Sequence, residues 1–259
     1  MFQILIFLTG LIIGSFLNCL IYRLETNKNF VSGRSFCPLC SHKLSFFDLI
    51  PIISFLFLKG RCRYCGKKIS WQYPLVEIAT GLLFLLIFKQ FQIFNLLNLF
   101  YYWLITSFLI IIFVYDLKHY LIPDKVIYPA IAIALIFNFL PHQIFEGGAN
   151  QFPVFKNLIL GALASAGFFF LIWFFSKGKA MGFGDVKLVF FMGLFLGFPK
   201  ILAALFFSFI IGAIIGMILL VLKKKTLKSE VPFGPFLVIG TFISLFFGDK
   251  IISWYLSFL

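Results

Sequence analysis

Acidic side chains are scarce in this chain. Nine occur among 259 residues: Glu25, Asp48, Glu77, Asp116, Asp124, Glu146, Asp185, Glu230 and Asp249. Charged residues of both signs make up only 12%, against about 25% in soluble domains. With 62% hydrophobic residues, 40 of them phenylalanine, the composition excludes a soluble globular domain and describes an integral membrane protein. Several catalytic signatures are missing too. There is no G-x-S-x-G elbow, no H-E-x-x-H, no Walker loop and no G-x-G-x-x-G, which removes the usual sequence grounds for a serine hydrolase, a zincin, a P-loop NTPase or a Rossmann enzyme. Residues 2–22 lack a basic n-region and a small-residue cleavage site, and read as a retained helix rather than a cleaved signal.

What the chain does have is long apolar runs. Eight are candidate transmembrane helices: 2–22, 74–90, 98–115, 124–141, 157–176, 186–198, 200–222 and 232–258, the sixth being short. The cations orient them. The loop at 23–73 holds nine Lys and Arg, and the next three loops on that side add Lys118 and Lys125, then Lys177, Lys179 and Lys187, then Lys223, Lys224, Lys225 and Lys228. The opposite side has Lys89, Lys156, Lys200 and Lys250. The positive-inside rule puts the richer side in the cytoplasm and both termini outside. The same bias, with anionic lipid headgroups as its partner, accounts for the net charge of +13 without any nucleic acid.

The one sizeable soluble segment, residues 23–73, contains "FCPLCSHKLS" and "GRCRYCGKKIS". Cys37 and Cys40 form one C-x2-C pair, Cys62 and Cys65 a second, at close to zinc-site spacing. Each tight turn presents two thiolates, and four close a tetrahedron around Zn²⁺. Neighbouring Lys and Arg favour the thiolate form. Two disulfides or a redox pair are the alternatives, and a cytoplasmic loop disfavours disulfides. Between the pairs lies "LSFFDLIPIISFLFLKG", apolar but interrupted by Asp48 and Pro51. It either packs onto the knuckles or lies at the membrane surface. Cys19, in the first helix, reads as a small buried apolar residue.

A carboxylate at bilayer depth costs roughly 2.5–3.5 kcal/mol even on lenient scales. Three acids sit at cytoplasmic helix ends: Asp116, Asp124 and Asp185. Asp124 follows Pro123 and is placed to cap the fourth helix. Asp185 is favoured at a helix start, whereas Asp116 at a helix C-terminus opposes the dipole and needs some other partner. Gly182 and Gly184 leave room around Asp185 for a second backbone. Two carboxylates from different helices at one depth point to a dyad sharing a proton, one activating water and the other polarising a peptide carbonyl. His119 lies beside Asp116, with no serine or cysteine clearly matched to it.

These pieces, in order, resemble the bacterial type IV prepilin peptidases, the bifunctional leader peptidases and N-methyltransferases of the GxGD aspartyl protease class. The resemblance is carried by "GSFLNCLIYRL" (14–24), "CPLC" (37–40), "IPIISFLFLKGRCRYCGKKIS" (50–70), "YPLVEI" (73–78), "DLKHYLIPD" (116–124), "GFGDVKL" (182–188) and "VPFGPFL" (231–237). It implies an all-α polytopic membrane protein of about eight transmembrane helices with a small cytoplasmic zinc-knuckle domain in the first loop. It implies a first transmembrane helix at 1–22, a tetracysteine zinc domain linked to methyltransferase activity at 23–73, and a membrane aspartyl peptidase domain at 74–259. The family's catalytic aspartates fall on Asp116 and Asp185, its structural zinc ligands on Cys37, Cys40, Cys62 and Cys65. Implied substrates are type IV prepilins or secretion pseudopilins. Their basic leader is cut after a glycine at the cytoplasmic face of the inner membrane, and the new N-terminus is then methylated with S-adenosylmethionine. Where the family commonly has Asp-Asn before the Ile-Pro of the first loop, this chain has Asp48-Leu49. Asp48 and Glu77 are candidates for contact with the basic leader. Two rival readings are a peptidase whose zinc loop is only a scaffold, and a non-enzymatic transporter or assembly component.

Overall fold

The computed structural model describes residues 2–26, 35–91, 96–139, 151–179, 181–223 and 231–258. Lys28, Arg34, Glu146, Lys224, Lys225, Lys228, Glu230 and the last two residues of the fourth apolar run lie outside the described residues. Within them the chain is helical, apart from two isolated β-bridges, Phe36 with Lys43 and Arg61 with Lys68. The elements are α1 (Phe2–Glu25), a 3-10 turn η1 (Phe46–Leu49), α2 (Ile53–Phe57), α3 (Gln72–Phe91), α4 (Leu96–His119), α5 (Asp124–Phe139), α6 (Gln151–Phe175), α7 (Phe183–Leu196), α8 (Lys200–Val221) and α9 (Gly234–Leu256).

Each of the eight apolar runs forms one helix, but among the described residues only α1, α3, α4, α6, α8 and α9 are long and apolar enough to cross a membrane. The described α5 has 16 residues and α7 has 14, short of the roughly 20 a span needs. For α7 the reason is packing. Val186, Leu188, Val189, Phe191, Met192, Leu194 and Leu196 are all buried, so the helix is apolar on every side because protein surrounds it. Its length of about 21 Å falls short of a hydrocarbon core of about 30 Å.

The chain divides into two compact units, Met1–Ile111 and Ile112–Leu259. In the first, α1 lies against α3 along a seam of small residues. A Cβ added to Gly10 would stand 2.6 Å from the Gly81 Cα, and one added to Gly14 would stand 2.7 Å from the Glu77 Cα. This is the close backbone approach that small residues four apart permit between membrane helices. Asn18, buried at the same seam, donates to the Tyr73 carbonyl at 3.0 Å and accepts from Gln72 Nε2 at 3.2 Å.

In the second unit α7 packs against α5, α6 and α9, and α8 pairs with α9. Gly193 of α7 meets the backbone of Ala162 in α6, again with no space for a side chain. Asn138 Nδ2 of α5 donates to the Leu194 carbonyl at 2.9 Å, satisfying one of the free carbonyls at the end of α7. On α8, Leu202, Phe206, Ile214 and Met217 stay exposed, the surface expected of a helix facing acyl chains.

Candidate active site and metal centre

Asp185 lies in the first turn of α7. Gly182 is the N-cap, extended at φ −75°, ψ 152°, and the Asp185 N–H donates back to its carbonyl at 3.2 Å. A carboxylate there is favoured by the helix dipole. Asp116 lies in the last turn of α4, buried at 4% exposure, and the two carboxylates are close enough for their charges to interact directly. The unfavourable end of α4 finds its partner at the beginning of α9, where the Gly234 backbone amide approaches the Asp116 carboxyl. An amide-rich helix N-terminus offsets what the C-terminus of α4 costs that carboxylate. Gly234 also has to be glycine. A Cβ at that position would lie 2.5 Å from Asp116 Oδ2 and 3.1 Å from its Cγ. Oδ2 itself is buried with no hydrogen-bond partner of good geometry among the described residues.

The surrounding glycines divide between two tasks. Gly182 is exposed, and a side chain there would meet nothing nearer than Asp185 Oδ2 at 3.9 Å. It leaves space beside the acid, as the sequence indicates. Gly184 does not: it is already helical, and its missing Cβ would come within 3.1 Å of the Ile122 side chain, so that room is filled by the chain itself. Asp124 stands in the first turn of α5, and its carboxylate meets Lys187 Nζ at 2.6 Å, joining the starts of α5 and α7. Lys187 also lies 4.8 Å from the centre of the Tyr128 ring.

The cysteines form the second cluster. Their four Sγ atoms lie within 4.8 Å of one another. Thiolates at 2.3 Å from a tetrahedral metal stand about 3.8 Å apart, so the donor set fits such an ion. The two knuckles repeat one backbone pattern. Cys37 N–H donates to His42 O and Ser41 N–H to Cys37 O, both at 2.9 Å; Cys62 N–H donates to Lys67 O and Gly66 N–H to Cys62 O, also at 2.9 Å. Each pattern needs a residue at positive φ after the second cysteine, Ser41 at 58° and Gly66 at 68°. Burial opposes ionisation of Cys37, but the backbone amides of Leu39 and Cys40 and the adjoining thiols outweigh it and draw that thiol down to about 7. Burial pushes the Cys62 thiol up. The ring of His42 from the first knuckle stacks on Tyr64 from the second at 3.7 Å, tying the two together. Cys19 is partly exposed and stands outside the cluster, with Ser35 Oγ 3.9 Å from its sulfur.

Asp48 and Glu77, candidates for leader contact in the sequence, are committed elsewhere. Asp48 Oδ2 accepts from the Ser45 N–H, the Ser45 hydroxyl and the Tyr64 hydroxyl, each at 3.0 Å, while Arg63 Nε lies 2.8 Å from Oδ1. Burial works against its charge, but these hydrogen bonds and the Arg63 guanidinium hold its carboxyl below the usual carboxylate range. Glu77 is buried in α3, accepting the Ile52 N–H at 2.8 Å and a hydrogen bond from Ser15 of α1.

Residues 8–91 match the model described as Bacterial Peptidase A24 N-terminal domain, and residues 103–217 match that of the Type IV leader peptidase family. The four cysteines fall in the first match, Asp116 and Asp185 in the second. The chain is similar to a prepilin leader peptidase/N-methyltransferase of Bacillus subtilis (strain 168), 37% identical over 256 residues that cover 98% of this chain and 97% of the relative. It is 34% identical over 284 residues to the protein of that name from Aeromonas salmonicida (strain A449), covering 98% and 93%. The corresponding Pseudomonas aeruginosa protein is 30% identical over 287 residues, covering 97% and 92%. No solved structure matches the chain. With both segments matched and relatives aligned over nearly its whole length, this multi-pass membrane protein belongs to the type IV leader peptidase family.

Proposed function

We propose that the chain is a membrane aspartyl endopeptidase. It removes the basic leader of type IV prepilins or pseudopilins after a glycine and then methylates the new N-terminal amine with S-adenosylmethionine. The observation that carries the reading is the convergence of Asp116 from the end of α4, Asp185 from the start of α7 and the Gly234 amide from the start of α9. Family membership and the names of the relatives supply the substrate class and the second activity.

In this mechanism Asp116 and Asp185 are the catalytic pair, and they share a proton because two adjacent negative charges repel. The ionised carboxylate takes a proton from water as the water oxygen attacks the peptide carbonyl. The protonated one donates a hydrogen bond to the carbonyl oxygen, where negative charge develops. Collapse of the tetrahedral intermediate breaks the C–N bond, and the proton passes to the departing nitrogen as the new amine. The unpartnered Oδ2 of Asp116 and the open space at Gly182 support a substrate or water lodging there. The methyl donor supplies an electrophilic methyl group for that amine.

Cys37, Cys40, Cys62 and Cys65 hold a structural Zn²⁺ that fixes the two knuckles of residues 23–73, the segment linked to methyl transfer; the peptidase occupies residues 74–259. The excess of Lys and Arg on the side carrying both acids supports an active site facing the cytoplasm from the bacterial inner membrane.

The test is purified protein incubated with a prepilin and a labelled methyl donor. A shortened product labelled at its new N-terminus is expected. Asp116→Asn and Asp185→Asn should each abolish shortening while leaving the protein inserted. Unchanged cleavage by either variant would rule out the dyad, and cleaved but unlabelled product would reduce the enzyme to a peptidase.

A further inference from the structure

The apolar stretch between the two knuckles is tied to the second through Asp48 but leaves most of its large side chains uncovered. Of its large side chains only Phe55 is buried, lying against Trp71 with ring centres 5.1 Å apart and covering Gly60. Phe46, Phe47, Leu49, Ile53, Leu56 and Phe57 stay exposed, Phe46 at 78% and Phe57 at 85%. So dense an apolar surface on a short loop marks an interaction site.

The position of this surface is fixed by an unusual turn. Ile52 has φ 60° and ψ −50°, and Ile53 N–H donates to Pro51 O at 2.5 Å, a γ-turn of the rare positive-φ kind. A β-branched residue adopts it only when its surroundings enforce it. The enforcing contact is Glu77, whose carboxylate takes the Ile52 N–H at 2.8 Å while Ser15 of α1 hydrogen-bonds to the same acid. Glu77 stands five residues into α3, about 7.5 Å along the helix axis from its start. The turn joining η1 to α2 is therefore drawn down alongside two membrane-spanning helices. That offset along α3 is comparable with the 5–10 Å to which interfacial apolar segments sink below the headgroups. The exposed apolar surface continues onto α3 through Leu75, Ile78 and Leu82. Lys43, Lys59 and Arg61, which flank the apolar stretch, are exposed and suited to anionic headgroups.

We infer that residues 46–57 form a re-entrant anchor, seated in the headgroup–acyl boundary of the bilayer and pinned there by the bond from Ile52 N–H to Glu77, so that the tetracysteine loop lies flat on the membrane. The occupant of the apolar surface is lipid.

The experiment places p-benzoylphenylalanine singly at positions 47, 57, 16 and 67 of the full chain, reconstituted in phosphatidylethanolamine–phosphatidylglycerol vesicles. Phe16 is an exposed side chain of α1 and serves as the lipid-facing reference; Lys67 is the water-facing one. After irradiation, intact mass should rise by one phospholipid for positions 47 and 57, as for 16, and not for 67. Positions 47 and 57 lie in separate elements, so one misfolded variant leaves the other to decide. Failure of both to capture lipid while position 16 does, or capture of a second copy of the chain instead, would overturn the inference.

Discussion

At the residue scale, the proposed chemistry depends on two acids and one missing side chain. Because a Cβ at 234 would press on Asp116 Oδ2, Gly234→Ala should slow cleavage by about 5- to 150-fold, the effect of 1–3 kcal/mol of overpacking placed on a reacting group. Gly167→Ala on α6, with nothing within 4 Å, should slow it far less. Steady-state cleavage of one prepilin by the two variants checks the contrast, and equal losses would contradict the geometry. Asp48 offers a second test. Its folded carboxyl is held below the ordinary carboxylate range, so its contribution is present at neutral pH and disappears as pH falls below about 4. Asp48→Asn should therefore destabilise the loop by about 1.5–3 kcal/mol at pH 7, and progressively less as pH falls below about 4. Hydrogen exchange over residues 44–66 at both pH values reads this directly.

Elements are where the sequence is most and least legible. Apolar runs locate all eight long helices, with bounds that differ by up to six residues at the start of α6, because lipid demands continuous hydrophobicity. The same criterion does not fix the number of crossings at α7, since a helix buried in protein and one buried in lipid look alike in composition. Gly10 and Gly14 carried a readable spacing whose meaning is the α1–α3 seam. Gly14→Leu should separate the two helices and lower the melting temperature in detergent, with at least the 1–3 kcal/mol of an overpacked contact; an unchanged melting curve would mean the seam is not tight. In the site, Asp116 and Asp185 were visible as acids in costly places. Gly234 was not, because nothing local in "VPFGPFL" tells which carboxyl its amide will meet. The turn at Ile52 was equally hidden. Local propensity opposes it, and the residue that enforces it comes much later, in α3.

Across the whole molecule, the two proposed chemistries occupy different compact units. The cysteines belong to Met1–Ile111 and both aspartates to Ile112–Leu259. Cys37→Ser or Cys62→Ser should release the metal and depress methyl transfer more than leader cleavage. Metal analysis of the wild-type protein should find one zinc per chain. Its absence, or parallel loss of both activities in the variants, would contradict this division. A further consequence follows from Gly234. The amide facing Asp116 lies on α9, which leaves the ribosome after both carboxylates have been made. A nascent chain inserted only as far as α8 holds the pair without the group that completes it. Under the proposed mechanism leader cleavage therefore waits on the synthesis of α9, and a protein truncated after Val221 should be inert towards prepilins however well it inserts.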